Sequence, residues 1–229
     1  MRVLVLGIGN VMFADEGIGV HFVNLMAKNY KFTSSKNELT LMDGGTLALA
    51  LTHIISEFDY LIVVDCISAN GASVGDVYFF DFLNVPNFIS WDGSAHEIEM
   101  LQTLHLMELA GDRPTTKILG IVPSRIESSN FSLSDEVIKA SNILEKTLLE
   151  HLKELDFKFE KVANFTPREI SYKFSSCSMQ TLLPFFNKFR QVFSFSLKFS
   201  SVISPSNLLQ VSTPLSFKIA LPLAKNAAA

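Results

Sequence analysis

The chain opens with a short, continuous apolar run that ends in glycine, Met1-Arg2-Val3-Leu4-Val5-Leu6-Gly7. Strands buried on both faces of a parallel sheet have this composition, because neither face meets water. Apolar residues at helical spacing follow between Ile18 and Ala27. A buried strand followed by an amphipathic helix is the basic unit of an α/β protein, so this opening already favours that class.

The same alternation of strand and helix continues to about residue 155. Apolar runs predict strands at 2–7, 39–42, 60–64, 75–80 and 117–122. Helical periodicity predicts helices at 18–27, 47–55, 94–110 and 133–155. Ser94 and Glu97 match the S-x-x-E capping box that marks a helix start. The pattern therefore predicts an α/β sheet with helices on both faces.

The composition changes beyond about residue 157. This region is rich in Phe and Ser and contains no Asp or Glu after Glu169. Residues 192–199 alternate with the period of a strand, but no helical pattern accompanies them. We therefore divide the chain into an α/β domain at 1–156 and a C-terminal extension at 157–229. For the extension, an added β-hairpin, a poorly ordered tail and a segment outside the native coding sequence remain open.

Charge and cysteine content exclude several classes of protein. With 19 Lys and Arg against 23 Asp and Glu, the net charge is −4, which leaves no basic field of the kind that binds duplex DNA. No apolar stretch approaches the roughly 20 residues that cross a bilayer. Cys66 and Cys177 are the two cysteines, and the N-terminal apolar run is too short for a signal peptide. We expect a cytoplasmic protein that spans no membrane and binds no nucleic acid.

Three polar residues are expected at the carboxyl ends of strands, where open parallel sheets bind ligands. Glu16 follows the first strand and its glycine loop, Asp65 ends the central strand, and His96 lies between a strand and the next helix. Two carboxylates and an imidazole suit a divalent ion such as zinc, nickel or manganese. In the first turn of a helix capped by Ser94, the helix dipole favours the neutral imidazole, which is the form that binds metals. The alternative is that each residue is only a turn or cap residue.

Other catalytic motifs fail or are weaker. Gly7-Ile8-Gly9 begins like the dinucleotide fingerprint G-x-G-x-x-G, but Met12 occupies the third glycine position. The chain contains neither a phosphate-binding G-x-x-x-x-G-K-[ST] loop nor a G-x-S-x-G nucleophile elbow. Cys66 at the end of a buried strand is better explained as a small apolar residue than as a nucleophile. His21, one turn beyond Glu16, is either a support for Glu16 or, more simply, an ordinary helix residue.

A longer signature runs through the first loop, from Gly7 to Gly19. It closely resembles the opening signature of the hydrogenase maturation endopeptidases, G-x-G-N-x-x-x-x-D-[DE]-G-x-G. Four further segments resemble the same family in order: Asp43-Gly44-Gly45-Thr46, Val63-Val64-Asp65-Cys66, Ser94-Ala95-His96-Glu97 and Leu119-Gly120-Ile121-Val122-Pro123. The resemblance covers Met1 to about Leu155. It departs at Val122, where the family usually carries Gln or Glu, so that position is given no role.

The resemblance implies a twisted, mostly parallel sheet of about five strands with helices on both faces. It also implies an endopeptidase that removes a C-terminal extension from the large-subunit precursor of a nickel-iron hydrogenase after nickel insertion. Carried over residue by residue, the metal-contacting and catalytic residues are Glu16, Asp65 and His96. The nickel belongs to the precursor, and a surrogate divalent metal would take the same ligands in crystals. The loop Asp43-Gly44-Gly45-Thr46 is implied to help recognise the substrate.

Three questions stay open at this point. Glu16 and Asp65 each fit the role of metal ligand or of general base on a water. The same three residues also fit a self-contained zinc hydrolase with its own tightly bound metal. A third hypothesis is a non-catalytic chaperone that binds the metal site of the hydrogenase precursor.

Overall fold

The computed structural model describes residues 1–46, 48–84, 89–90, 95–128 and 130–175, with side chains for all of them except 89–90, 95–99 and 172–175. All of these residues belong to one compact unit, Met1–Leu182. The predicted cap Ser94 and the part of the extension from residue 176 onward lie outside the described residues.

The described chain alternates strands and helices. The strands are β1 Arg2–Ile8, β2 Tyr30–Thr33, β3 Glu38–Gly45, β4 Tyr60–Cys66, β5 Ser68–Ala69, β6 Val77–Asp81, β7 Ile89–Ser90, β8 Thr115–Ile121 and β9 Lys158–Lys161. The α-helices are α1 Ile18–Asn29, α2 Thr52–Ile55, α3 Ala95–Ala110, α4 Asp135–Glu154 and α5 Pro167–Ser175, and short 3-10 helices span Ala14–Gly17, Ala48–Leu51 and Phe82–Asn84. No described helix is both long enough and apolar enough to cross a membrane.

A five-stranded sheet in the order β3-β1-β4-β8-β6 forms the centre of the domain. The pairs β1–β3, β1–β4 and β4–β8 are parallel, and β6 runs antiparallel to β8. The predicted mostly parallel α/β sheet is therefore confirmed. Because the four parallel strands point the same way, their carboxyl ends meet at one rim.

Helices cover both faces of this sheet. Successive side chains of a strand point to opposite faces, so Val3 and Val5 join one core while Leu4 and Leu6 join the other. The first core is closed by α1 and α4, and the second by α2, α3 and the 3-10 helix Ala48–Leu51. The prediction of helices on both faces is confirmed, and the rigid double-sided packing holds the rim in place.

The described chain continues to pack on the domain past residue 156, the boundary predicted from the sequence. Strand β9 pairs antiparallel with β2. Phe157 is 3% exposed and Ile170, on α5, is fully buried. The side chain of Asn29 at the end of α1 bonds both the N–H and the C=O of Phe165, each at 2.8 Å. Residues 157–175 therefore belong structurally with the α/β fold.

A chain that ends after Asp156 is expected to lose stability. It would expose the surfaces that Phe157 and Ile170 cover, and burial of two such side chains contributes about 3–6 kcal/mol. Urea unfolding of this chain, compared with a chain ending after Ser175 that keeps these contacts, measures the difference. Equal unfolding midpoints for the two chains would contradict the assignment of 157–175 to the domain.

Candidate functional site

Asp65 lies at the rim, at the carboxyl end of β4. The register of β4 places it opposite Gly120 of β8, one residue beyond the last pairing of β4 with β1. The side chain is 3% exposed, and its Oδ1 accepts a hydrogen bond from the N–H of Cys66 at 2.8 Å. This bond fixes the orientation of the carboxylate. Cys66 is fully buried, in line with its assignment as a small apolar residue.

Glu16 reaches the same rim from β1. After Gly9 the chain turns into the 3-10 helix Ala14–Gly17, where the Glu16 N–H donates to the C=O of Phe13 at 3.3 Å. The Glu16 side chain is 3% exposed. This 3-10 helix packs against β4, the strand that ends with Asp65 and Cys66. The elements that carry these two buried carboxylates thus pack against each other at the rim.

Two glycines of the signature allow this approach. Gly9 has φ +137°, and a Cβ there would lie 1.9 Å from the C=O oxygen of Glu16. A Cβ on Gly19 would lie 2.2 Å from the carbonyl oxygens of both Ile8 and Val64. Any larger residue would push the 3-10 helix or α1 away from the ends of β1 and β4. The glycines are therefore needed for close packing of the loop rather than for phosphate binding.

The side chain of Asp15, next to Glu16, forms hydrogen bonds that link the loop carrying Glu16 to a second loop. It is fully buried, and its Oδ2 accepts hydrogen bonds from the N–H groups of Ser124 and Arg125 at 3.0 and 3.1 Å. Ser134 donates its N–H to Oδ1 at 2.7 Å and its hydroxyl to Oδ2 at 2.8 Å. Ser134 is also the N-cap of α4, where its Oγ accepts from Val137 N at 3.3 Å. One carboxylate thus links the loop that carries Glu16 to the connection between β8 and α4.

His96 is the second residue of α3, and its side chain lies outside the described residues. α3 leads into β8, whose start is held beside the start of β4 by the Thr115 N–H···O=C Asp59 bond of 3.2 Å. A helix of 16 residues is about 24 Å long, close to the length of a seven-residue strand, so its first turn is expected near the rim. Among the described side chains, no group of three His, Cys, Asp or Glu residues could hold a metal ion. The convergence of all three residues stays a prediction.

The predicted substrate loop begins at the end of β3. Asp43 is exposed, and its Oδ1 and Oδ2 accept from the N–H of Gly45 at 3.0 Å and the amide of Asn24 at 3.3 Å. The N–H of Gly9 donates to the C=O of Gly45 at 2.9 Å. The loop is therefore bonded directly to the loop that carries Glu16, although its contact with substrate stays a prediction.

Comparison with known proteins agrees with this arrangement. The family model described as hydrogenase maturation protease matches residues 20–151. The chain belongs to the hydrogenase maturation protease family. It is 49% identical over 158 residues to Protein HydD of Wolinella succinogenes, covering 67% of this chain and 99% of that protein. It is 28% identical over 128 residues to the hydrogenase 2 maturation protease of Escherichia coli, covering 56% of this chain and 76% of that protein.

Solved structures of maturation proteases share the fold. The hydrogenase maturating endopeptidase HybD from Escherichia coli superposes with a TM-score of 0.60 at 25% identity, covering 71% of this chain and 98% of that one. HybD from Thermococcus kodakarensis gives a TM-score of 0.51 at 26% identity, covering 68% and 99%. The resemblance identified from the signature is confirmed, and the mostly parallel five-stranded sheet is that of a maturation protease.

His21 of this maturation protease is fully buried beneath the glycine loop. A Cβ on Gly17 would lie 3.2 Å from His21 Nε2, so the imidazole packs against the backbone next to Glu16. Burial lowers the pKa of His21 from 6.5 to about 4. The ring is therefore neutral at neutral pH, and protonating it would place a charge in the core below the loop.

Acid is expected to destabilise the fold through His21. The unfolded chain takes up a proton near pH 6.5 and the folded chain only near pH 4, so stability is full above pH 6.5 and falls as the pH drops towards 4. The loss over this window is about 3 kcal/mol. Urea unfolding between pH 7 and pH 4 measures it. His21→Gln should flatten the slope and the exposed control His53→Gln should keep it; equal slopes in all three chains would contradict the prediction.

Sequence reasoning missed Asp15 and Ser134. The signature contains Asp15, but its partners follow more than a hundred residues later, at separations of 109 to 119. For Ser134 a signal existed, because a serine followed by Asp135 and Glu136 is a typical N-cap with an acidic first turn. The predicted helix 133–155 was placed correctly, but its cap was not identified.

Proposed function

We propose that this maturation protease removes the C-terminal extension from the large-subunit precursor of a nickel-iron hydrogenase after nickel insertion. Glu16, Asp65 and His96 would contact the nickel that the precursor carries. The observation that supports the proposal most strongly is that two carboxylates, each 3% exposed, lie on the 3-10 helix Ala14–Gly17 and on β4, which pack against each other.

Electrostatics explain why such a rim would select a loaded precursor. Neighbouring carboxylates in a poorly solvated site repel each other, and a nearby cation offsets that repulsion. Oxygen ligands together with an imidazole fit the coordination chemistry of a borderline divalent ion. A precursor that presents nickel therefore gains affinity that an empty precursor lacks.

The reaction is the addition of water to one peptide bond. The substrate's nickel would polarise the carbonyl or lower the pKa of a bound water, so that the water oxygen attacks the carbonyl carbon. Glu16 or Asp65, through the carboxylate oxygen that does not contact the nickel, would accept the proton and return it to the leaving amine. Because the metal holds the peptide beside these groups, the cleavage point is set by its distance from the nickel.

The test is a cleavage assay followed by mass spectrometry of the precursor. Nickel-loaded precursor should lose the mass of its extension, and nickel-free precursor should stay intact. Equal cleavage of both forms would overturn nickel recognition. Tightly bound zinc in the purified chain, with cleavage that chelators abolish, would favour a zinc hydrolase. Binding of the precursor without any mass loss would favour a chaperone.

A further inference from the structure

Within the described part of the chain, β3 is an edge strand of the five-stranded sheet. β3 is the first strand of the sheet and pairs with β1 on one side, and no described strand pairs with it on the other. It spans eight residues, Glu38–Gly45, and none of them is fully buried. An edge strand presents a row of backbone N–H and C=O groups to whatever lies beside it.

The register shows which backbone groups face outward. The N–H of Glu38 donates to the C=O of Met1 at 3.0 Å, so the polar groups of Glu38 face β1. Successive residues of a strand point these groups to opposite sides, so Thr40 and Met42 also face β1. The N–H and C=O groups of Leu39, Leu41 and Asp43 therefore face outward.

Three of the devices that commonly block strand addition are absent from this edge. Exposed edges are commonly protected by Pro, by Lys or by a bulge. The segment Glu38-Leu39-Thr40-Leu41-Met42-Asp43 contains no Pro and no Lys. The one register shift in its pairing with β1 lies beyond it, between Gly7 and Ile8. Six consecutive residues therefore offer a regular template.

The edge leads directly to the candidate site. β3 runs parallel to β1, so its carboxyl end lies at the rim where the Glu16 loop begins. The Gly9 N–H···O=C Gly45 bond of 2.9 Å joins the two. A peptide lying along β3 would therefore pass from the edge to the rim without leaving the surface.

The geometry points to strand addition as the way in which this protease holds its substrate. The extended C-terminal segment of the precursor would bind beside β3 and hydrogen-bond to the backbone of Leu39, Leu41 and Asp43. Backbone bonds supply affinity for an extended chain. The exposed acids Glu38 and Asp43, at either end of the edge, favour a segment that carries a basic residue. This inference rests on the proposed function, which supplies the peptide.

Amide hydrogen exchange measured by NMR tests the inference with the full chain. The Asp65→Asn variant, which is expected to cleave at least about 100-fold more slowly, is mixed with an excess of nickel-loaded precursor. The amides of Leu39, Leu41 and Asp43 should exchange at least about tenfold more slowly in the mixture. Those of Thr40 and Met42, already bonded to β1, should not change. Absence of slowing at the three outward amides would overturn the inference.

Failure of the inference is distinguishable from failure of the proposed function. If the wild-type chain cleaves the precursor but the outward amides are not protected, strand addition is wrong and the function stands. If the amides are protected but the wild-type chain does not cleave, strand addition stands and the function is wrong.

A pair of variants gives an independent kinetic readout. Leu41→Pro removes an outward N–H, whereas Leu41→Ala keeps it and loses the same side chain. The KM for precursor should rise about three- to tenfold more in the proline variant, which is the effect of one hydrogen bond, with similar kcat. Thermal unfolding shows whether both variants are folded. Equal KM values in two folded variants would overturn the inference.

Discussion

Asp65→Asn and Glu16→Gln are each expected to lower the rate of precursor cleavage by about 100-fold or more. Each substitution preserves the size of the side chain and removes its negative charge. The loss follows whether the carboxylate binds the substrate's nickel or accepts a proton from water, because an amide does both poorly. Cleavage rates measured by mass spectrometry under single-turnover conditions give the effect on the chemical step.

Precursor binding and the pH dependence of the cleavage rate distinguish a metal ligand from a general base. A ligand variant should bind nickel-loaded precursor more weakly, whereas a base variant should bind it normally and lose the acidic limb of the rate profile. Glu150→Gln, an exposed carboxylate on α4, is the matched control and should cleave at the wild-type rate. Wild-type rates in both Asp65→Asn and Glu16→Gln would mean that the site is elsewhere.

Asp15→Asn is expected to destabilise the fold by about 2–4 kcal/mol and to slow cleavage as well. An amide can accept at only one of the two oxygen positions, so it turns a donor towards Ser134 or towards Ser124 and Arg125. The N–H groups that face this donor then lose their partner. Because Glu16 is the next residue, its carboxylate is also displaced. Urea unfolding and the cleavage assay measure the two effects.

Ser134→Ala is the matched control for Asp15→Asn. It removes one hydrogen bond to Asp15 and the cap of α4, which together contribute about 1–2 kcal/mol. In the double variant the two losses should not add, because the side chains share a bond. Strict additivity, or wild-type stability in Asp15→Asn, would show that the carboxylate does not link the two loops.

The central fold was predictable because its signals are local. Buried strands such as β1 and β4 are continuous apolar runs, and their residues alternate between two cores. Strand β9 was not predictable in this way, because Lys158–Lys161 is short and its partner β2 lies far away in the sequence. The direction of β6 could not be predicted either, because an apolar run does not show whether a strand lies parallel or antiparallel to its neighbour, here β8.

In the candidate site, too, only the features with local sequence signals could be predicted. The common rim of the elements that carry Glu16 and Asp65 could be predicted, because residues at strand ends share a rim in any parallel sheet, and the structure brings these elements together. Their roles stay predictions. The function of Asp15 could not be predicted, because it depends on a loop that only the folded chain brings close. The burial of His21 could not be predicted either, because it depends on how the folded chain packs beneath the glycine loop.

Nickel X-ray absorption of the enzyme–precursor complex, frozen before cleavage, tests the central claim most directly. If Glu16, Asp65 and His96 contact the precursor's nickel, the metal should gain oxygen or nitrogen neighbours at about 2.0–2.2 Å relative to free precursor. Asp65→Asn should remove part of that gain. A nickel spectrum that is the same in the free precursor and in the complex would contradict the account.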